Sequence, residues 1–314
     1  MTAIERVRQQ LAVKPRRWLV TGSAGFIGSH VVAALEAAGC RVAGFDVREG
    51  GGDVCDRSAL DAAFDAVRPD IVFHLAAVAD ARAALADPLS AIRINVGGTA
   101  AVLEAARAHG APRVVLASTC WVANAMPAGD VDETTPFLPA GGGHVYTTTK
   151  IAAEYLAHDY QRAHGVPFTI LRYGIPYGPN MWPGLALRNF VDRAFAGQPL
   201  TVFGSGDASR RYLYVGDLAR AHVLALRETA VNRIYHLEGA QPITTRQLAE
   251  RVAALSGGAP IIFQDDPARR GELDGNSRTI LCDRAQRELD WEPLVDFEDG
   301  VRRTVEWYRA QRQP

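Results

Sequence analysis

The segment Trp18-Leu-Val-Thr-Gly22-Ser-Ala-Gly25-Phe-Ile-Gly28 narrows the possible folds more than any other stretch of the chain. A short apolar run ends on Gly22, and glycines recur at 25 and 28. An amphipathic run follows, with Ile27, Val31, Leu35 and Ala38 on one helical face, before Gly39 stops it. The pattern reads as strand, glycine turn and helix start. Gly22 allows the tight turn, Gly25 lets the backbone approach a pyrophosphate, and Gly28 lets the helix pack close to the sheet. The helix N-terminus at Phe26 and Ile27 offers free N–H groups and a favourable dipole to that anion. The spacing is G-x-x-G-x-x-G, not G-x-G-x-x-G, so the strand before it and the helix after it carry the dinucleotide reading.

The same alternation continues downstream. Val42 to Phe45, Ile71 to Leu75, Val114 to Ala117 and Phe168 to Leu171 read as strands. Ser58 to Val67, Ala91 to Ala108 and Lys150 to His164 read as helices between them. Parallel crossover units of this kind build an α/β, Rossmann-type doubly wound sheet. After Arg172 the chain turns loop-rich, through Gly174, Pro176, Gly178, Pro179, Pro183 and Gly184, and again at Gly257 to Pro260 and Asp265 to Gly275. The expected organisation is an extension at 1–15, a dinucleotide-binding domain at 16–173 to which 212–240 return, and a smaller substrate-binding lobe from 174–211 and 241–314.

Charge and cysteine usage exclude several classes. With 34 basic and 35 acidic residues, the net charge of −1 gives no reason to expect nucleic acid or a membrane surface as partner. Cys40, Cys55, Cys120 and Cys282 form no C-x-x-C pair and no zinc spacing, so reduced thiols and no metal are expected. The N-terminal stretch is charged, without an apolar signal core, and no run approaches the length of a membrane span. A cytoplasmic location is the expectation.

Asp46 ends the second strand, where a carboxylate accepts hydrogen bonds from the adenosine ribose and repels a 2′-phosphate. That favours NAD over NADP. A loop-capping role is the plain alternative, and Arg48 is an arginine of the kind that holds a 2′-phosphate. Tyr146-Thr-Thr-Thr-Lys150 sets a phenol and an ammonium on one helical face. A positive charge near tyrosine, whose pKa starts near ~10, favours the phenolate and makes a general base for a substrate hydroxyl. Ser118 and Thr119, at a strand end, supply a hydroxyl that donates to a substrate oxygen or, more plainly, caps a turn.

With these residues in place, the chain resembles the extended short-chain dehydrogenase/reductase family, in its NAD-dependent nucleotide-sugar epimerase and dehydratase branch, from about Trp18 to Tyr308. Val72-Phe-His-Leu75-Ala76-Ala77 looks like the strand-end motif beside the cofactor, and Asp53-Val54 like the pair flanking the adenine. Asn95-Val-Gly-Gly-Thr99 resembles a helix whose Asn is structural near the cofactor site. Leu171-Arg-Tyr173 and Tyr177-Gly-Pro179 resemble the segment after the sixth strand. Arg211-Tyr-Leu-Tyr-Val-Gly-Asp217 and Arg269-Arg-Gly-Glu272 resemble two segments whose arginines hold a nucleotide diphosphate. Leu289-Asp-Trp291-Glu-Pro293 and Thr304-Val-Glu-Trp307-Tyr308 look like the closing segment. The resemblance implies a catalytic triad of Thr119, Tyr146 and Lys150, with Ser118 beside the nicotinamide and Tyr173 near the cofactor. It also implies a homodimer formed through the helices around Asn95–Ala108 and Tyr146–His164.

Four departures matter. Dehydratases of the branch place acidic residues directly after the hydroxyl residue, whereas this chain has Cys120-Trp121; tryptophan does no acid–base work, and Cys120 reads either as a small buried residue or as a thiol in a special environment. Val122-Ala123-Asn124 replaces Val-Tyr-Gly. Gly174-Ile175-Pro176 stands where many members have a substrate-contacting Asn. His144, two residues before Tyr146, either contacts substrate and relays a proton or lines the rim. The expected function is epimerisation of a nucleotide-diphosphate sugar by transient oxidation. Rival readings are dehydratase or decarboxylase chemistry on the same substrates, an NAD(P)-dependent ketoreductase of a non-sugar substrate, and a dinucleotide-sensing protein.

Overall fold

The computed structural model describes residues 5–7, 9, 16–126, 128–138, 143–265 and 278–312. In chain order, β1 (Arg17–Thr21) leads through the glycine turn into α1 (Phe26–Ala37), and β2 (Arg41–Phe45) into α2 (Arg57–Val67). β3 (Ile71–His74) is followed by α3 (Ala81–Ala86), α4 (Pro88–Ile92), a π turn at Arg93–Gly97 and α5 (Gly98–Ala108). Next come β4 (Arg113–Thr119), β5 (Gly129–Val131), α6 (Val145–His164), β6 (Phe168–Tyr173) and β7 (Ile175–Tyr177). The later elements are α7 (Ala186–Phe195), β8 (Leu200–Phe203), β9 (Ser209–Tyr214), α8 (Val215–Leu224) and β10 (Arg233–Leu237). The chain closes with β11 (Pro242–Thr244), α9 (Thr245–Leu255), β12 (Ile261–Gln264), β13 (Arg278–Ile280) and α10 (Phe297–Ala310).

The central sheet is parallel throughout, in the order β2-β1-β3-β4-β6-β10. The chain moves outward from β1 to β2, then reverses to β3 on the other side. Strand direction and alternation explain the two layers that flank it. Trp18, Val20, Val115, Leu171 and Tyr235 face one side and pack with Val31 and Leu35 of α1 and Leu218 and Leu224 of α8. Leu19, Val72 and Val114 face the other, against Leu60 and Phe64 of α2 and Val102 and Leu103 of α5. Fully burying each such side chain contributes about 1.5–3 kcal/mol. Of the N-terminal residues, 5–7 and 9 are helical, and Val7 is buried in the first of these layers.

A second core gathers Tyr177, Leu187, Phe190, Leu200, Val202, Ile243, Leu248, Val252, Phe297, Val301 and Tyr308. Phe26, from the first turn of α1, is part of it, edge-on to Trp182 at 5.5 Å between ring centres. The closing segment is tied down through Asp217 in α8. Its carboxylate accepts from the N–H groups of Leu294 (3.0 Å) and Val295 (2.8 Å), and its carbonyl from the Trp291 indole (3.0 Å).

Four elements differ from their sequence patterns. Val42 to Phe45 belongs to an edge strand in which only Phe45 is buried. The helix expected over Ala91 to Ala108 is interrupted by the π turn, which holds Asn95. β4 and β6 each run two residues past their apolar pattern and bring Ser118, Thr119, Arg172 and Tyr173 into the sheet. The connection expected at Asp265 to Gly275 lies, apart from Asp265, outside the described residues.

Candidate active site

The carboxyl ends of β1, β3, β4, β6 and β10 share one edge of the sheet. The reversal between β1 and β3 opens a crevice there, the place where doubly wound sheets take ligands. The glycine turn forms its floor. Gly22 has φ +74° and lies so close to the loop after β3 that a Cβ would sit 2.7 Å from the Ala76 nitrogen. A Cβ on Gly28 would sit against the Gly22 carbonyl, and one on Gly25 only 2.9 Å from it. No side chain caps α1 at Gly25. Its first N–H groups, at Phe26 and Ile27, are the free donors that a pyrophosphate requires. These residues fit the pyrophosphate of a dinucleotide, with the Phe26 side chain turned away into the second core.

Asp46 is buried and works locally as well. Its Oδ2 accepts from the Ala24 N–H (3.1 Å) and its Oδ1 from the Arg48 N–H (2.9 Å), with Arg48 Nε at 3.3 Å. The carboxylate thus fixes the glycine turn to the end of β2, and the Arg48 head group lies beside it, largely exposed. Replacing Asp46 with Ala is expected to narrow the preference for NAD over NADP about tenfold, the worth of one charge-assisted hydrogen bond. Parallel titrations of the two dinucleotides measure the ratio. Tighter binding of NADP by the unaltered protein would reverse the assignment.

Asp53 accepts from the Cys55 N–H (2.9 Å) and pairs with Arg93 (3.1 Å), which together lower its pKa, the Cys55 bond foremost. Val54 is buried against Gly98, where a Cβ would meet its methyl at 2.7 Å. Behind the loop at Leu75, Ala76 and Ala77 runs a buried polar chain. The Thr99 hydroxyl donates to the Asn95 carbonyl (2.6 Å), so His74 Nε2 must donate to Thr99 (3.0 Å) and His74 Nδ1 accept from Thr21 (2.8 Å). Burial, helped by the Lys150 charge, holds the His74 pKa down to about 3, which keeps this tautomer neutral. Asn95 uses both ends of its amide: Oδ1 accepts from the Val78 N–H, and Nδ2 donates to the Val78 carbonyl and to Thr149. It clamps the β3 loop to α6, and any effect on a cofactor passes through that loop.

Thr119, Tyr146 and Lys150 come from two neighbouring elements, the end of β4 and the first turns of α6. The Thr119 Oγ1 accepts from the Trp121 N–H (3.2 Å), capping the short turn that follows, and keeps its own proton to donate. Lys150 is buried; its ammonium donates to the Ala117 carbonyl (2.9 Å) and lies 5.9 Å from the centre of the Tyr146 ring. Burial pulls the lysine pKa to about 8, with Glu154 opposing, and pushes the Tyr146 phenol above its ordinary value. This differs from the phenolate that the spacing alone suggests. Desolvation outweighs a charge at that distance when its nearest acceptor is a backbone carbonyl.

Trp121 and His144 complete a ring of aromatics. The indole stands edge-on to His144 (5.0 Å) and to Tyr146 (6.3 Å), and the imidazole stacks with the phenol at 5.9 Å. His144 caps α6: its Nδ1 accepts from the Thr147 N–H (3.2 Å), which leaves the ring proton on Nε2. Burial lowers its pKa, so the ring is a neutral donor. Cys120 is buried, its thiol donates to the Arg172 carbonyl (3.2 Å), and burial pushes its pKa well up. It is the inert alternative of the two considered.

Ser118 points to the other face of the sheet. Its hydroxyl donates to Glu154 (2.5 Å), which is also bridged by Arg172 (2.7 Å), itself 3.2 Å from His236. The Ser118 side chain is therefore engaged within the sheet–helix layer. Spacing gave no signal for this network, since its members lie on four separate segments. Tyr173 donates to His222 Nε2 (2.8 Å), whose Nδ1–H is held by the Leu218 carbonyl (2.9 Å). Arg211 reaches the same edge from β9. It donates to the carbonyls of Gly239 (3.3 Å) and Ala240 (2.5 Å), with Glu238 3.9 Å from its Nε. Arg269 lies outside the described residues. Among the described residues no His, Cys, Asp and Glu group could hold a metal ion.

Comparison with known proteins places these features in a wider set. The family model "NAD dependent epimerase/dehydratase family" matches residues 18–237. The chain is 32% identical to a dTDP-glucose 4,6-dehydratase of Streptomyces niveus, over 94% of this chain and 94% of that protein. It is 31% identical to a probable UDP-glucuronate 4-epimerase of Rhizobium meliloti, over 93% and 96%. The solved structure of Thermus thermophilus UDP-glucose 4-epimerase in complex with NAD superposes with a TM-score of 0.79 at 34% identity, covering 93% of this chain and 99% of that one.

Proposed function

Because the chain belongs to the NAD dependent epimerase/dehydratase family, we propose that it inverts one carbinol centre of a nucleotide-diphosphate sugar by transient oxidation. NAD is the cofactor, and when bound it would supply a reversible hydride acceptor for the carbinol carbon. The chain's own residues do the rest. Tyr146, which must first give up its own proton because burial holds the phenol above its ordinary value, removes the hydroxyl proton; Thr119 donates to the same oxygen, and Lys150 supplies the positive charge nearest the phenol. Gly22, Gly25 and the first N–H groups of α1 hold the pyrophosphate. Arg211, together with Arg269, holds the diphosphate of the sugar nucleotide while the oxidised sugar turns over.

The observation that carries this reading is the pair after Thr119. Elimination needs a proton taken from carbon and another given to a leaving hydroxyl. Cys120, with its thiol pushed up and bonded to the Arg172 carbonyl, does neither, and Trp121 has no proton to exchange at neutral pH. The similarity to dehydratases keeps elimination as the second reading, and the chemical step separates the two. Substrate deuterated at the reacting carbon is expected to keep its label through inversion, with no net NADH. Label moved to another carbon of a deoxygenated product, with solvent hydrogen gained at the carbon between, would overturn epimerisation in favour of elimination. Stoichiometric NADH would mark a plain dehydrogenase.

A homodimer is part of the same proposal. Leu85, Leu89, Ile92 and Tyr155 are exposed apolar side chains on α3, α4 and α6, and those helices pack side by side. A matching face from a second copy would cover them. No described helix is long and apolar enough to cross a membrane.

A further inference from the structure

Glu238 follows β10 at the carboxyl edge of the sheet. It lies against Gly174, the first residue after β6, where a Cβ would stand 2.7 Å from its Cγ and 3.4 Å from its Cα. The lack of a side chain at 174 is what makes room for the carboxyl group. Its Oε2 is 3.9 Å from the Nε of Arg211, while Nη1 of that arginine is turned to the carbonyls of Gly239 and Ala240. Among the described residues the carboxyl accepts no hydrogen bond. A partly buried acceptor therefore stands unfilled beside the arginine assigned to the diphosphate and close to Cys120, next to Thr119.

We propose that Glu238 is a specificity-determining residue of the sugar subsite: its carboxyl accepts a hydrogen bond from a neutral sugar and excludes sugars that carry a carboxylate. The inference rests on the proposed function, since it assigns part of that same substrate. Neutral and acidic sugars share the nucleotide and its diphosphate, so repulsion from those groups cancels in a ratio. What remains is the charge on the sugar against the charge on Glu238. Like charges facing one another across a binding surface weaken binding on the order of a hundredfold.

The discrimination has a pH signature. Burial raises the Glu238 carboxyl to about 7, with Arg211 opposing. It is neutral below that value and ionised above it, so exclusion of acidic sugars strengthens as pH rises through 7. Among the described residues, the thiols that face it are held up by burial, at Cys120 and Cys282, and Arg211 lies beside it. Behind them, His236 is held down to about 3, and Glu133 is paired with Arg284 at 3.7 Å.

The test uses the full chain saturated with NAD and two matched pairs, UDP-glucose with UDP-glucuronate and UDP-galactose with UDP-galacturonate. Dissociation constants are measured by calorimetry at about pH 6 and about pH 8. The neutral member is expected to bind on the order of a hundredfold tighter at the higher pH and by a smaller ratio at the lower. Glu238→Gln is expected to shrink the ratio at least roughly tenfold at the higher pH and to flatten its pH dependence. Equal binding of both members by the unaltered protein, or an unchanged ratio in Glu238→Gln, would overturn the inference and leave the proposed function standing. Failure of all four UDP sugars and of dTDP-glucose, dTDP-glucuronate, GDP-mannose and CDP-glucose to bind, with NAD still held, would bring down the substrate class and this inference together.

Discussion

Substituting Tyr146 with Phe is expected to lower turnover by about 10²–10⁴-fold, the contribution of one positioned general base. The loss should fall on the chemical step alone. Among the described residues the Tyr146 hydroxyl makes no internal hydrogen bond, so its removal breaks none. The phenyl ring keeps its edge contact with Trp121 and its stack on His144. Thermal unfolding and NAD retention should therefore match the unaltered protein. Single-turnover measurement with the reactive sugar nucleotide checks the rate directly. A fully active variant would remove Tyr146 from the mechanism and, with it, the epimerase reading.

Removing the carboxylate of Glu154 is expected to destabilise the fold by about 3–5 kcal/mol, because Arg172 is then left buried without its counter-charge. Both side chains are almost fully enclosed, at 4% and 1% exposure, which keeps water from taking over the role. Glu154→Ala also strands the Ser118 hydroxyl. Denaturant unfolding measures the loss as a lowered midpoint. The double variant Glu154→Leu, Arg172→Met should recover most of it, since a well-packed apolar pair commonly matches or exceeds a buried ion pair. An unshifted midpoint in Glu154→Ala would show that the pair contributes nothing to stability.

The sequence made the strand–helix alternation and the glycine turn legible because both rest on local rules. Apolar periodicity marks a strand, and a glycine marks a backbone approach too close for a Cβ. The ends of β4 and β6 escaped the pattern for the opposite reason. Ser118, Arg172 and Tyr173 are polar, and partners as far along the chain as Glu154, His222 and His236 make their burial tolerable. His144 carried no cap signal, as imidazole is not among the usual N-cap side chains. The Tyr146–Lys150 spacing was readable, but the acceptor at Ala117 that takes the ammonium was not. Glu238 was invisible to local reading, because its setting depends on a missing side chain at 174, just past the end of β6.

The sixth strand of the sheet has a consequence for modularity. β10 and α8 are built from chain that has already passed through the second core, so the two cores are interleaved rather than joined by one linker. A gene truncated after Tyr173 would not release a self-sufficient nucleotide-binding module. It would leave β6 with a bare row of N–H and C=O groups along one edge, and Val31 and Leu35 without the helix that covers them. Such a fragment would be prone to pair edge to edge with its copies, so domain shuffling among relatives would have to exchange both cores at once.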